Sequence, residues 1–163
     1  MNRYKLNVRL IPKSAYGQNM RSVMSSREWR DLSDYVRSVQ VCAGCWKRFD
    51  KTRLEAHEEW VWKLFGKQVL RRIVPLCKKC HHTVHIGRAN ACNEYEEAQR
   101  HYMQVRHVSQ GKFNQIVNEE WKRWDKRSKI KWHLVTTPED AWRIAKEDRQ
   151  LIEKLKEKHP PKN

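Results

Sequence analysis

The spacing of hydrophobic and polar positions changes several times along the chain, and each change predicts an element. Residues 4–11 (Tyr-Lys-Leu-Asn-Val-Arg-Leu-Ile) alternate, which predicts a short strand ended by Pro12. Residues 13–25, around Gly17 and Asn19, keep no period and read as an irregular surface segment. Beyond Ser26, a suitable helix cap, the period lengthens. Trp29, Leu32, Tyr35, Val36 and Val39 share one helical face over residues 27–39. A strand at about 52–57 then carries His57 near its end. Residues 60–65 and 67–74 predict a hairpin turning at Gly66 and closed by Pro75, followed by a short helix over about 78–87.

Helical spacing returns at Tyr95, Ala98, Tyr102 and Val105, and again at Phe113, Ile116, Val117, Trp121 and Trp124, from a start near Ser109 to Arg127. Ile130, Trp132 and Leu134 alternate as a closing strand. Thr137-Pro138-Glu139-Asp140 is a helix start, with a cap, a proline at the first position and acids in the first turn. That last helix extends to about His159. Its apolar positions are sparse and its surface charged, so it reads as a projecting arm or a helix for a protein partner.

Composition narrows the partner. The net charge is +16, from 35 basic and 19 acidic residues, and a chain this basic suits a polyanion. No apolar run reaches the roughly 20 residues of a transmembrane helix, and Met1-Asn2-Arg3-Tyr4 carries no apolar signal region. These features predict a cytoplasmic protein that uses no membrane. In a reducing compartment paired cysteines read as metal ligands, and Cys92 is left as a buried thiol.

Two C-x2-C knuckles, Cys42/Cys45 and Cys77/Cys80, supply the four thiolates that zinc prefers at about 2.3 Å. Such a site has no open position, so its role is structural. The histidines are different. His81 and His85 are i and i+4 on the predicted helix and point the same way. With His57 they form a three-nitrogen site suited to zinc, nickel or other transition metals.

The run C-x2-C, then L-E-x-H, then L-C-x2-C-H-x3-H resembles the HNH, or His-Me finger, endonucleases with a four-cysteine zinc brace, as found in bacterial and phage proteins. The likeness extends to flanking features: Asn19-Met20-Arg21-Ser22, Trp29, His101-Tyr102-Met103, Trp121, Trp124-Asp125-Lys126-Arg127-Ser128 and Trp132. The resemblance implies an α+β fold, a ββα-metal core with a four-Cys zinc site embedded in flanking helices and a long C-terminal helix. It divides the chain into an N-terminal strand and helix (1–40), the zinc-braced core (41–90), a helical part of the same domain (91–136) and the charged helix (137–163).

The resemblance further implies a metal-dependent DNA endonuclease or nickase that hydrolyses phosphodiester bonds; because the basic surface does not distinguish the sugars, an RNA-directed nuclease is a third reading. Its cofactors would be structural Zn2+ and a second divalent metal (Mg2+, Mn2+, Ni2+ or Zn2+) at the histidines, and its setting a bacterial cell or phage-infected host. The alternative is a catalytically degenerate protein on the same fold that binds nucleic acid or a protein partner. Many HNH proteins have Asp-His or His-His where this chain has Ala56-His57-Glu58. Either His57 is a ligand with His81 and His85, as in colicin-type nucleases, and Glu58 stands in the base position, or His57 is the base and Glu55 or Glu58 replaces the ligand lost at Ala56. Arg71-Arg72-Ile73-Val74 stand where the family has its middle Asn. Lys47, Arg48, Arg71, Arg72, Lys78, Lys79 and Arg88 would hold the nucleic-acid backbone, and Trp60 and Trp62 are candidates for base stacking.

Overall fold

The computed structural model describes residues 3–162. Met1, Asn2 and Asn163, the outer ends of the first and last expected segments, lie outside the described residues. Among the described residues the architecture is α+β, with six α-helices and one small three-stranded sheet. β1 (Leu54–Lys63) and β2 (Lys67–Cys77) form an antiparallel hairpin, and β3 (His133–Leu134) lies parallel to the start of β2.

The hairpin turns at Leu64–Gly66, as the glycine predicts. Its first strand is longer than expected, because the stretches at 52–57 and 60–65 are one strand. The pairing runs through unbroken: Glu59 pairs with Arg72 and Trp60 with Leu70, so the extra residue of the bulge is Arg71 on β2 and β1 itself keeps its alternation. His57 therefore lies inside β1, opposite Val74, and not at a strand end. Pro75 likewise sits within β2, where its carbonyl accepts the amide of Ala43 at 2.8 Å.

Alternation at the N-terminus sets which side chains are buried but gives the backbone no strand partner. Tyr4, Leu6, Val8 and Leu10 are buried, yet the segment joins no sheet among the described residues. Its amides go elsewhere: Arg9 N donates to Val84 O at 2.9 Å and Leu10 N to Glu120 Oε1 at 3.3 Å. The stretch after Pro12 is not all surface either. It forms short turns at Lys13–Ala15 and Met20–Ser22, and Ala15, Met20 and Met24 are buried.

The helices begin where capping chemistry allows. α1 (Ser26–Arg37) is capped by Ser25 in a reciprocal box with Glu28, one residue earlier than expected. α2 (Lys78–Val84) starts directly at the end of β2. The expected single helix then breaks at His85 (φ −91°, ψ 53°) and resumes as α3 (Ile86–Ala91). α4 (Tyr95–Arg106) and α5 (Gln110–Ser128, capped by Ser109) follow the predicted spacing. Cys92 lies in the turn just after α3 and is exposed, not buried.

α6 (Pro138–Lys158) has the expected start, with Thr137 and Asp140 capping each other. It does not project. It packs along β2, burying Ala141, Ala145, Asp148 and Ile152, and Asp148 Oδ2 accepts the Ile73 amide at 3.0 Å. Two small alanines let the helix approach the strand, which explains its sparse apolar face. Among the described residues, no helix is long and apolar enough to cross a membrane.

The sheet separates two hydrophobic clusters. Ile73 turns to one, with Met20, Leu32, Val36, Trp60, Leu70 and Ala145. Val74 turns to the other, with Leu6, Val41, Leu76, Val84, Tyr102 and Phe113. Successive strand residues face opposite ways, so this divide decides where the side chains of His57 and Glu58 go. Trp60 is buried in the first cluster and is not a stacking platform. Trp62 is half-buried between Trp132 (ring centroids 6.4 Å apart) and the Arg127 guanidinium (4.7 Å).

Candidate functional site

The two cysteine knuckles meet. The sulfurs of Cys42, Cys45, Cys77 and Cys80 all lie within 4.8 Å of one another, with Cys45 Sγ and Cys77 Sγ 3.9 Å apart. Tetrahedral zinc with Zn–S bonds of about 2.3 Å separates its sulfurs by about 3.8 Å, so the cluster has the dimensions of a four-thiolate zinc site. Local backbone builds it. Cys42 N donates to Lys47 O and Trp46 N to Cys42 O, which closes the first knuckle, and Cys77 N donates to Cys42 Sγ at 3.3 Å. Gly44 is needed for space: a Cβ there would stand 2.9 Å from Cys80 Sγ. Burial pushes the Cys42 thiol up, whereas hydrogen bonds from the other three sulfurs pull Cys77 down. Four sulfurs cannot all ionise in one largely buried cluster unless a cation joins them.

The second cluster is His57, His81 and His85, whose ligand atoms also lie within 4.8 Å of one another. Ring centroids are 5.2 Å apart for His57–His81, 5.1 Å for His57–His85 and 4.8 Å for His81–His85. β1 supplies the first ring and α2 with its C-terminal break supplies the others. The absence of a loop between β2 and α2 fixes their relation. Cys77 and Cys80 bracket that junction, and Cys80 directly precedes His81, so the cysteine cluster braces the histidine cluster through the covalent chain.

Electrostatics keep these rings neutral. Burial, and then His85 and His81, hold His57 well below the usual histidine range. Burial takes His85 down to about 3. His81 is also lowered by burial, against the opposing pull of Glu55. Three neutral imidazoles offering lone pairs at neutral pH form a donor set for a borderline transition metal.

Glu55, which the sequence offered as a replacement for the ligand lost at Ala56, pairs with a ring of the cluster. Its Oε2 pairs with Nδ1 of His81, which leaves Nε2 of that ring for a ligand. Glu55 is two residues before His57 and shares its strand face, a period-2 relation visible in the sequence once the strand is known to include both. His101, named in the sequence only as a flanking feature of the resemblance, is a neighbour of the cysteine site. Its Nε2 lies 3.1 Å from Cys80 Sγ, carried there by the packing of α4 against α2.

The structure does not bring Glu58 to the histidines. Glu58 pairs in register with Ile73 while His57 pairs with Val74, so the two side chains leave opposite faces. Glu58 Oε1 accepts the Met20 amide at 2.7 Å, and burial raises its carboxyl above the usual range.

The expected backbone-binding cations divide into groups. Lys47, Arg48, Lys78 and Lys79 line one groove, beside the cysteine knuckles, together with Arg53 and Arg106. Arg88 is exposed on α3 and close enough to depress His81 and His85. Arg71 is exposed on β2. Arg72 is a correction: it is buried, with Nε 4.0 Å from both Glu59 Oε2 and Asp148 Oδ1, because the strand register sets it directly opposite Glu59 with Asp148 of α6 alongside.

No family model, curated protein or solved structure matches this chain.

Proposed function

We propose that the chain is a metal-dependent DNA endonuclease or nickase of the HNH type, hydrolysing phosphodiester bonds at the His57–His81–His85 centre. The observation that carries this reading is the convergence of three neutral imidazoles from a strand and the helix that follows its hairpin partner. An HNH ββα core would use the same order of elements. The adjoining cysteine cluster, one residue from His81, would serve as its structural zinc brace.

His57, His81 and His85 would hold a divalent ion, which when bound would supply Lewis-acid stabilisation to the scissile phosphate and the departing 3′ oxygen. Nitrogen donors favour Zn2+ or Ni2+ over Mg2+ and Mn2+, which prefer oxygen. His57 contributes a buried, neutral ligand from the rigid strand. Glu55 is a positioning residue: by engaging Nδ1 it fixes the tautomer of His81 and aims Nε2 at the ligand position. The groove cations Lys47, Arg48, Lys78 and Lys79 hold phosphates of the same strand without reading bases.

A second reading is a scaffold of this fold that binds nucleic acid without cutting it. One observation favours it: Glu58, the residue in the position of the HNH base, is committed to the Met20 amide. Labelled duplex DNA and RNA of one sequence, incubated with a panel of divalent metals, separate the two. Hydrolysis leaving 5′-phosphate and 3′-hydroxyl ends supports the nuclease. Tight binding with intact strands under every metal supports the scaffold.

A further inference from the structure

The tip of the β1–β2 hairpin presents large apolar side chains to solvent. Leu64 is 81% and Phe65 90% exposed. Ile130, 44% exposed, stands beside them, since a Cβ on Gly66 would lie 3.9 Å from its Cγ2. Phe65 adopts φ 61°, ψ 30°, a left-handed conformation that favours glycine or asparagine and is rare for a bulky residue. A tip with only a turn to make would place a small polar residue there.

The tip is backed by a neighbouring segment as well as apolar. Gly66 sits so close to the 130–131 segment that a Cβ would meet Lys131 O at 2.3 Å, so the turn is pressed against a neighbouring loop. Its chemical surround is cationic: Lys63, Lys67 and Lys131 are exposed, and neither Lys63–Gln68 nor Lys129–Val135 contains an acidic residue.

We propose that Leu64 and Phe65 form a wedge that enters a nucleic-acid duplex at a base step, with Lys63, Lys67 and Lys131 on the flanking phosphates. This rests on the nucleic-acid-directed reading above and adds to it a double-stranded, bent substrate. An apolar residue inserted between base pairs unstacks one step and kinks the duplex by roughly 20–90°. A lysine collar without carboxylates matches the phosphates on either side of such a step. Lys63 is six residue steps along β1 from His57, a span of roughly 20 Å at about 3.4 Å per residue. The kink would fall on the order of six base-pair steps from the cut.

The test uses a duplex of about 30 base pairs carrying a donor–acceptor dye pair at its ends and scattered 2-aminopurines, titrated without added divalent metal so that no strand is cut. Wild-type protein is expected to shorten the end-to-end distance and brighten one 2-aminopurine. Phe65→Gly combined with Leu64→Ala is expected to abolish both signals and weaken duplex binding about tenfold. Phe65→Gly alone is expected to melt no lower than wild type, because it relieves a left-handed aromatic, so lost bending cannot be laid to misfolding. Bending and affinity unchanged in the double variant overturn the wedge. So do a wild type that does not bend the duplex, tip-dependent binding to anionic vesicles in its place, and a wild-type dimer that the double variant dissolves. Cleavage of an unbent duplex would sink the wedge and leave the nuclease standing. Bending without cleavage under any metal would do the reverse.

Discussion

The carboxylate of Glu55 meets Nδ1 of His81 across the gap between β1 and α2, two elements that the β2 strand holds in fixed relation. Because Glu55 and His57 share a strand face, one strand supplies both a histidine of the cluster and the group that orients another of its rings.

Glu55→Gln tests that relation. The amide cannot accept a hydrogen bond as strongly as a carboxylate, so His81 loses its fixed tautomer. Loss of such a partner typically costs 10–100-fold in metal affinity. We expect Co2+ or Zn2+ titration of the histidine site to weaken by about that factor. The cysteine site should keep its metal and the melting temperature should hardly move, since Glu55 is half-exposed. Unchanged affinity would mean that the pairing does not position the ring.

The cysteine cluster should carry about one zinc per chain after purification without added metal. Cys80→Ser should lose that zinc and melt markedly lower, because metal binding at such a site is folding free energy. Gly44→Ala should lower zinc affinity without removing a ligand, since its Cβ would crowd Cys80 Sγ at 2.9 Å. Metal analysis alongside thermal melting reads both variants. Full zinc content in Cys80→Ser would contradict the site.

Much of the fold was legible because local signals and tertiary structure agree. The caps at Thr137 and Ser109, the glycine at the hairpin turn and the two C-x2-C knuckles each determine their geometry within a few residues. Alternation over residues 4–11 carried only half its usual meaning: it set burial, while the backbone partners were a helix carbonyl and the buried carboxylate of Glu120. The successive acids Glu58 and Glu59 hid the continuity of β1, and with it the facing of Glu55, His57 and Glu58. α6 was mistaken for an arm because alanines and a buried aspartate, not large apolar residues, make its contact with β2.

Arg71 and Arg72 should separate cleanly. Arg72 lies buried between Glu59 and Asp148, and removing one partner of a buried charge group leaves the others uncompensated. Arg72→Ala is expected to lower stability by about 3 kcal/mol in urea unfolding. Arg71→Ala, at an exposed position, should stay within about 0.5 kcal/mol. Equal small effects from the two would contradict the inward placement of Arg72.

Asp148 gives a pH signature. Burial raises its carboxyl to about 6, against the Ile73 amide and Arg72, which favour the ion. A folded-state value above the unfolded one, near 4, means the folded chain holds the proton more tightly. Its stability contribution is therefore present below about pH 4 and lost as pH rises through about 6. Asp148→Asn keeps an acceptor for the Ile73 amide but cannot ionise. Between pH 4 and pH 7 its stability should gain on wild type by on the order of 2–3 kcal/mol, read from urea unfolding across that range. A constant difference would show that Asp148 does not titrate in this window.

The central claim is that His57, His81 and His85 form the metal centre of a phosphodiester hydrolase. The most direct measurement is the rate of supercoiled-plasmid nicking by wild type, His57→Ala and Glu58→Gln, with metal content of the histidine site followed on the same samples. The account predicts metal-dependent nicking by wild type. His57→Ala should lose both the metal and the activity while retaining the cysteine-site zinc. Glu58→Gln, whose carboxylate faces Met20 and not the histidines, should keep the metal and nick within a few-fold of wild type. Nicking by His57→Ala at the wild-type rate, or a wild type that never nicks with any divalent metal, would contradict it.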